Sequence, residues 1–273
     1  TMLVERERAL HAANSFLEEG LVEIEVDPRI LGQHLATIQD GMRRMSDDAE
    51  AQALFPYTIL GTDEMGWDED AGFHSERSDE TKDYFHHCPG VEWDLHTELG
   101  KSFLPFLRSC AILTGAAERN VMQLLRAIDG AHGTEYAREF ADMYIVTRIL
   151  RYRKIDARIK EDAYPHFDRD AISHHWWASH PGLMVYTHDT ARRVDERAWN
   201  RAAIFPGKKF LALTQGAFGL HGLHGVRDTR EVSEGNDRIA IVTFTHCRLP
   251  PYALAWLQMN DATLKGIAKT FAL

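Results

Sequence analysis

The chain has 273 residues, of which 44% are hydrophobic, so it can bury a sizeable core and is not globally disordered. Its formal net charge of −10 argues against a nucleic acid or an anionic membrane surface as partner, because both require a basic face. Three widely spaced cysteines without a CxxC pair argue against a disulfide framework or a structural zinc site. No apolar run approaches the roughly 18 residues of a membrane span, and no signal-peptide core opens the chain, so we expect a cytoplasmic protein.

The first half of the chain, residues 1–143, is rich in helix formers and predicts a mainly helical N-terminal layer. Leu21–Val26 predicts a short strand, and Pro28 opens a helix with apolar residues at helical spacing. Gly61–Gly72 is rich in glycine and acidic residues and predicts a solvated loop. Further helices are predicted with Gly115 and Gly130 as their stops: Val91–Thr114, Glu118–Asp129 and Glu135–Asp142.

The second half of the chain carries short β-rich runs separated by turns such as Pro206-Gly207. The predicted strands are Tyr144–Ile155, Gly182–Tyr186, Phe210–Thr214 and Ile239–Thr245. Many short strands with regular turns are typical of a jelly roll. After Pro250-Pro251, Ala253–Ala268 predicts a closing helix. We therefore predict one α+β domain over residues 1–273, with a double-stranded β-helix (jelly-roll) core over 144–249 and a C-terminal helix over 250–273.

Three side chains of the β half can converge on one metal ion. His166 and Asp168 form a His-x-Asp motif, and residues i and i+2 of an extended chain point to the same side. His221 and His224 follow in the sequence GLHGLHGV. Two imidazoles and one carboxylate bind Fe(II) on one face of an octahedron and leave positions open for a cosubstrate and oxygen.

The distal histidine has two candidates. His221 and His224 are three residues apart and would point to opposite faces of a strand, so one strand does not easily deliver both to one ion. We favour His224, because valine follows it and because it lies nearer to Arg238 along the chain. His221 would then lie behind the ligands or at the surface.

Arg238 opens the strand RIAIVTF, 14 residues after His224, and can bind a carboxylate through two parallel hydrogen bonds. Alternatively it is a surface arginine paired with Asp237 or Glu234. His175 and Trp177 follow the proposed ligands in an unusual cluster of His and Trp. They form either a wall of a substrate pocket or a strand end packed against the helical layer.

The order of these motifs resembles the isopenicillin N synthase-like branch of the Fe(II)/2-oxoglutarate-dependent oxygenases, over about 60% of the chain. KDYFHH (Lys82–His87) is similar to a helix-end motif of that family, and RILRYRK (Arg148–Lys154) to the strand before the first ligands. HFDRDAIS resembles the His-x-Asp strand. The segments GLMVY, AIFPGKKFLAL, HGV and RIAIVTF then follow in the family's order.

The resemblance implies that His166, Asp168 and His224 bind Fe(II), that Arg238 holds the distal carboxylate of 2-oxoglutarate, and that Tyr152 contacts this cosubstrate. It also implies hydroxylation, desaturation or cyclisation of a small molecule by O2, for instance of an amino acid or a secondary-metabolite intermediate. The family's Arg-x-Ser pattern ends here in Ala240, so a hydroxyl beside the arginine is missing. An iron oxidase that does not use 2-oxoglutarate, and a non-catalytic jelly roll that binds a metal or a small acid, remain alternatives.

Overall fold

The computed structural model describes residues 2–76, 82–153, 161–186, 191–194, 200–227 and 237–271. The helices in these ranges are α1 (Met2–Asn14), α2 (Pro28–Asp47), α3 (Ala49–Ala53), α4 (Glu98–Ser102), α5 (Leu104–His132), α6 (Tyr136–Glu139), α7 (Lys208–Leu213) and α8 (Pro251–Thr270), with a π-helical turn at Ser15–Glu19. The strands are β1 (Val22–Glu25), β2 (Thr58–Thr62), β3 (Asp68–Glu76), β4 (Lys82–His87), β5 (Tyr144–Tyr152), β6 (Glu161–His166), β7 (Ile172–Ala178), β8 (Leu183–Tyr186), β9 (Ala191–Arg193), β10 (Arg201–Pro206), β11 (Leu223–Arg227) and β12 (Arg238–His246).

The strands form two antiparallel sheets. The large sheet has eight strands in the order β1-β10-β7-β12-β5-β4-β3-β2, and the small sheet has four in the order β6-β11-β8-β9. From β5 onward the chain passes back and forth between the sheets. The inner faces pack together, because Leu150 and Val242 of the large sheet share a buried cluster with Val226 of the small one. This arrangement confirms the predicted double-stranded β-helix core.

The outer face of the large sheet is covered by α2 and α5. Leu35, Ile38 and Met42 of α2 and Leu113 of α5 are at most 5% exposed and pack in one cluster with Ile241 of the sheet. The two helices therefore shield one face of the large sheet and leave its other face to the small sheet. Within the described residues, no helix combines the length and apolar character that a bilayer crossing requires.

Two glycines that were predicted to end helices lie inside α5. Gly115 and Gly130 each weaken a helix by about 1 kcal/mol relative to alanine. The fully buried stripe that includes Leu113, Ala117 and Val121 outweighs this cost, so the predicted breaks were wrong. The helix ends instead at Gly133, whose φ of 67° suits a left-handed cap.

The segment Gly61–Gly72 is a hairpin rather than the predicted solvated loop. Strands β2 and β3 pair there, and Asp63 Oδ1 accepts hydrogen bonds from the backbone N–H groups of Met65 and Trp67, both at 2.9 Å. KDYFHH is likewise strand β4 rather than a helix end. The large sheet therefore extends by three strands that the sequence did not predict, and these strands border the site described below.

The apolar run Phe210–Thr214, predicted as a strand, belongs to helix α7 and its C-cap. A short apolar run does not distinguish a buried strand from a buried helix, and the surrounding contacts decide. Gly207, the residue before α7, lies against the backbone of Asp170. A Cβ at this position would lie 2.3 Å from the Asp170 carbonyl oxygen. The other predicted elements correspond to β1, α2, α6, β5, β8, β12 and α8. Lys154 and Ile155, at the end of the strand predicted over Tyr144–Ile155, lie outside the described residues.

Candidate metal centre

The three residues predicted as metal ligands meet at one end of the small sheet. His166 ends β6 and faces His224 of the neighbouring β11 in register, with 4.5 Å between the ring centroids. Asp168 lies two residues beyond β6. Its Oδ1 is 3.4 Å from His166 Nε2 and its Oδ2 is 3.4 Å from His224 Nε2. Each of the three residues offers one potential metal-ligating atom, and these three atoms all lie within 4.8 Å of one another.

Backbone carbonyls fix the orientation of both imidazoles. His166 Nδ1 donates to the Tyr164 carbonyl oxygen at 2.6 Å, and His224 Nδ1 donates to that of Gly222 at 2.9 Å. A proton on Nδ1 leaves the lone pair on Nε2, and both Nε2 atoms face Asp168. Burial lowers the pKa of His224 to about 4, so this ring is neutral at neutral pH, as a metal ligand must be.

Gly222 allows His224 to take this position. Its φ of 90° lies in the left-handed region, and a Cβ there would lie 2.0 Å from the Pro206 carbonyl oxygen. The backbone of β11 can therefore approach β10 only with glycine at this site. This close approach places the Gly222 carbonyl where the His224 imidazole can donate to it.

Asp168 is held by residues that the sequence analysis did not identify. Ser173 Oγ donates to Asp168 Oδ2 at 2.5 Å and also lies 3.1 Å from both carboxyl oxygens of Asp170. Burial and the neighbouring charge of Asp168 raise the pKa of Asp170 well above its ordinary value. Burial by itself would raise the pKa of Asp168, but the pKa lies below its ordinary value, and the hydrogen bond from Ser173 contributes to this lowering.

The donor set fits an octahedral metal such as Fe(II). Two ligands about 2.1 Å from an ion, at right angles to each other, are about 3 Å apart. The two distances of 3.4 Å between imidazole nitrogen and carboxylate oxygen are close to this spacing. Among the described residues, these three are the one group of His, Cys, Asp or Glu side chains that could hold a metal. His221 contacts Gly20 and Gly219 instead, so the geometry favours His224 as the distal ligand.

Arg238 lies in the space between the two sheets. It is 1% exposed, and its Nε donates to the His180 carbonyl oxygen at 3.0 Å. Tyr152 is its cross-strand neighbour on β5, and the guanidinium carbon is 5.1 Å from the centroid of the Tyr152 ring. Asp237 instead pairs with Arg151 at 2.7 Å. The alternative of a surface arginine is therefore wrong.

The Arg238–Tyr152 pair adjoins the metal centre through a shared apolar cluster. Val226 lies two residues beyond His224 on β11 and packs in this cluster with Tyr152 and Ala240. The side chains that could hold an ion and the guanidinium that could hold a carboxylate therefore face the same interior. The sequence predicted this proximity from order along the chain alone.

His175 and Trp177, predicted together as pocket residues, face different sides of the large sheet. His175 lies opposite Val242, whose side chain points into the inter-sheet space. Trp177 lies opposite Ile241 and packs with it in the cluster beneath the helices. A register shift between Ile241 and Val242 causes this difference. The packing of Trp177 corresponds to the alternative interpretation, a strand residue packed against the helical layer.

A cavity of about 530 Å³ opens beside the metal centre, with His166 and Asp168 in its wall. Much of the remaining wall comes from β3, β4, β5 and β12 of the large sheet. Its aromatic side chains are Tyr57, Trp67, Tyr84, Tyr144, Phe167 and Phe244. The polar cavity residues His86 and Arg148 were not predicted from the sequence. KDYFHH, which contains His86, was assigned to a helix end, and the strand predicted over Tyr144–Ile155 did not indicate that Arg148 borders a cavity.

No protein-family model matches the chain, and no curated protein matches it in sequence. Solved structures do match its fold. A full-length Neurospora crassa protein, in complex with alpha-KG and thymine, superimposes with a TM-score of 0.71 at 14% identity, covering 96% of this chain and 93% of the Neurospora chain. AtDAO1, the dioxygenase for auxin oxidation 1 from Arabidopsis thaliana, in a binary complex with 2-oxoglutarate, gives 0.65 at 14% identity with 92% of each chain covered. JOX2, in complex with 2OG, Fe and JA, gives 0.62 at 13% identity, covering 90% of this chain and 72% of JOX2. The predicted resemblance to the 2-oxoglutarate/Fe(II) oxygenases is thus confirmed at the level of the fold.

Proposed function

We propose that this protein is a non-haem Fe(II)- and 2-oxoglutarate-dependent oxygenase that oxidises a small organic molecule. The observation that carries the proposal is the convergence of His166, Asp168 and His224 beside a cavity that His166 and Asp168 line. Both imidazoles present Nε2 to the site and the carboxylate lies between them. Two histidines and one carboxylate, with the remaining positions open, are typical of iron oxygenases.

The chain's own groups have separate tasks in this reaction. His166, Asp168 and His224 would hold the iron, and Ser173 keeps the Asp168 carboxylate in place. When bound, Fe(II) and 2-oxoglutarate would supply the oxygen chemistry, in which the cosubstrate becomes succinate and CO2 while the organic substrate is oxidised. The aromatic side chains of the cavity orient the substrate and exclude water from the reacting groups.

The use of 2-oxoglutarate is supported by Arg238 and Tyr152. Arg238 can bind the distal carboxylate of the cosubstrate through two parallel hydrogen bonds. Ala240 lacks the hydroxyl that the family pattern places beside this arginine, but Tyr152 lies against the guanidinium and carries a hydroxyl of its own. We infer that Tyr152 supplies the missing hydrogen bond.

The volume of the cavity favours a small molecule as the substrate. A volume of about 530 Å³ falls within the usual range for ligand pockets of about 300–1,000 Å³. The Neurospora crassa structure contains thymine, and the JOX2 structure contains JA. The net charge of −10 further supports a small molecule over a nucleic acid or an anionic membrane.

The experiment that tests this proposal combines iron titration with a product assay. The protein is titrated with Fe(II) without oxygen, then supplied with 2-oxoglutarate, oxygen and a panel of small molecules. We expect tight iron binding and substrate-stimulated formation of succinate and CO2. If iron does not bind, or binds while no panel member stimulates oxygen uptake, the oxygenase proposal is wrong and a non-catalytic binding protein is favoured.

A second candidate is an iron oxidase that activates oxygen with electrons from the substrate alone. Ala240 favours it, because the side chain that usually completes the carboxylate site is absent. The same assay separates the two candidates. The oxidase consumes oxygen with no succinate, whereas the 2-oxoglutarate-dependent enzyme forms one succinate for each 2-oxoglutarate consumed.

A further inference from the structure

Arg148 brings a positive charge into the cavity beside the metal centre. It lies on β5, the strand between β4 and β12 in the large sheet. Its side chain lines the same cavity as His166 and Asp168. Nothing in the proposed handling of iron or 2-oxoglutarate uses this arginine, so its role needs a separate explanation.

One edge of the Arg148 guanidinium is occupied by a neutral group. Its Nε donates to His86 Nε2, and His86 Nδ1 contacts Asp70 Oδ1. Because Nε2 accepts a hydrogen bond from Arg148, the His86 hydrogen lies on Nδ1 and is donated to Asp70. Burial and the nearby Arg148 charge lower the pKa of His86 to about 4, so the ring is neutral at neutral pH. His86 thus separates the Arg148 and Asp70 charges while it fixes the orientation of the arginine.

Aromatic rings cover other parts of the Arg148 guanidinium. The guanidinium carbon is 5.0 Å from the ring centroid of Tyr84 on β4 and 4.7 Å from that of Phe244 on β12. Such contacts stabilise a cation and also displace water from it. Nη1 and Nη2 are the remaining donors, and these two nitrogens form the edge with which arginine binds a carboxylate in two parallel hydrogen bonds.

Two of the other cavity cations, Lys208 and Lys265, differ from Arg148 in having an acidic partner, while Arg169 lies against the ring of Trp67. Lys208 and Lys265 each lie 2.6 Å from a carboxylate oxygen of Asp261. In the part of the chain that the structure describes, no acidic side chain forms an ion pair with Arg148, whose polar contact there is with His86. An anion can complete the hydrogen bonding of this partly desolvated guanidinium with two charge-assisted bonds.

We propose that Arg148 binds a carboxylate group of the substrate, so that the protein acts on a small organic acid. The acid would place its carboxylate on Nη1 and Nη2 and its carbon skeleton among the aromatic side chains, with one end toward His166 and Asp168. The oxidation of this acid rests on the proposed function, whereas its binding to Arg148 does not require iron.

The test compares acids with uncharged amides of the same shape. Phenylacetate and phenylacetamide, and hexanoate and hexanamide, are titrated into the full chain by calorimetry, with and without Fe(II) and 2-oxoglutarate under anaerobic conditions. We expect at least one acid to bind about tenfold or more tightly than its amide, since a charge-assisted bidentate contact exceeds a neutral one by about 1.4 kcal/mol or more. Arg148→Leu should weaken binding of that acid by about tenfold or more and leave the amide within about twofold.

Two further variants test whether the preference for the acid depends on the forked geometry of the Arg148 guanidinium or only on a positive charge in the cavity. Arg148→Lys keeps the charge but not the fork, so it should retain only part of the preference for the acid. Lys265→Leu removes a positive charge from the same cavity and should leave acid binding within about twofold, because a partly exposed, screened charge contributes little. If Lys265→Leu weakens acid binding as much as Arg148→Leu, a general cation effect replaces the proposed contact.

The remaining outcomes separate this inference from the proposed function. Binding of no acid, equal binding of acids and amides, or equal loss of both in Arg148→Leu would overturn the inference. A loss of 2-oxoglutarate binding in Arg148→Leu would overturn it too, by making Arg148 a cosubstrate residue. Arg148-dependent acid binding by a protein that binds no iron would disprove the oxygenase proposal and leave this inference intact.

Discussion

The two sheets contribute different chemistry to the cavity between them. The small sheet and the segment that leaves β6 supply His166, Asp168 and His224, which can share one ion. The large sheet supplies Arg148, which lines the cavity, and Arg238, which lies beside Tyr152 of the inter-sheet cluster, and both can bind anions. An iron enzyme that oxidises an acid with the help of an acidic cosubstrate needs both kinds of group. Substitutions in the small sheet should therefore impair iron binding, and substitutions in the large sheet should impair anion binding.

The sheets also differ in how their functional residues are held. Backbone carbonyls and Ser173 fix the small-sheet ligands through hydrogen bonds. The arginines of the large sheet lie against aromatic rings from neighbouring strands, with ring distances of 4.7–5.1 Å. The first arrangement fixes a direction for a metal bond, and the second desolvates a charge while leaving hydrogen-bond donors for a ligand.

The largest effect is expected from the small sheet. His224→Ala removes one of three candidate ligands and should reduce Fe(II) affinity by at least about 100-fold and eliminate turnover. Anaerobic iron titration and a succinate assay measure the two effects. His221→Ala is the matched control and should bind iron like the unaltered protein. Tight binding by His224→Ala, or an equal loss in both variants while circular dichroism shows them folded, would contradict the proposed ligand set.

The second largest effect tests the outer face of the large sheet. Trp177→Ala should lower the free energy of unfolding by about 3–5 kcal/mol, because it leaves a cavity beneath the helices. Iron affinity of the folded variant should be unchanged. Denaturant unfolding and iron titration measure the two quantities, and Trp177→Phe should give a smaller loss of stability. A loss of turnover at unchanged stability would instead place Trp177 in the substrate site.

The sequence predicted the small-sheet chemistry because the relevant signals are local. His166 and Asp168 are two residues apart, and their convergence follows from the geometry of one extended segment. In the structure, His224 rather than His221 lies opposite His166, because of the register in which β11 pairs with β6. The sequence does not show this register and favoured His224 only through the valine that follows it, as in the family's motif, and through the shorter spacing to Arg238. The order of the strands was also accessible, because turns and β-rich runs alternate along the second half of the chain.

The large-sheet chemistry was harder to predict because it depends on register between distant strands. His86 meets Arg148 only because β4 pairs with β5, and the sequence of β4 was assigned to a helix. Trp177 was placed in the pocket because strict alternation was assumed, whereas a register shift at Ile241 moves it to the outer face. Such irregularities leave no clear mark in a single sequence.

The third prediction tests the Arg238 end of the large sheet. Arg238→Leu should weaken 2-oxoglutarate binding by about 30- to 150-fold, or roughly 2–3 kcal/mol, because a charge-assisted bidentate contact is lost. Fe(II) affinity should be unchanged. The visible charge-transfer absorption of the iron–2-oxoglutarate chelate measures the binding, and Arg148→Leu serves as the control that retains it. Unchanged cosubstrate affinity in Arg238→Leu would favour the oxidase alternative.

The smallest effect concerns the hydroxyl beside Arg238. Tyr152→Phe keeps the ring against the guanidinium and removes only the hydroxyl, so 2-oxoglutarate binding should weaken about fivefold, or roughly 1 kcal/mol. Adding Ala240→Ser to this variant restores the Arg-x-Ser pattern of the family and should recover most of the lost affinity. Recovery would show that the two hydroxyls serve one carboxylate. If Tyr152→Phe binds 2-oxoglutarate normally, the Tyr152 hydroxyl does not replace the missing serine hydroxyl. Of Arg238, Tyr152 and Ala240, only Arg238 would then bind the carboxylate of the cosubstrate.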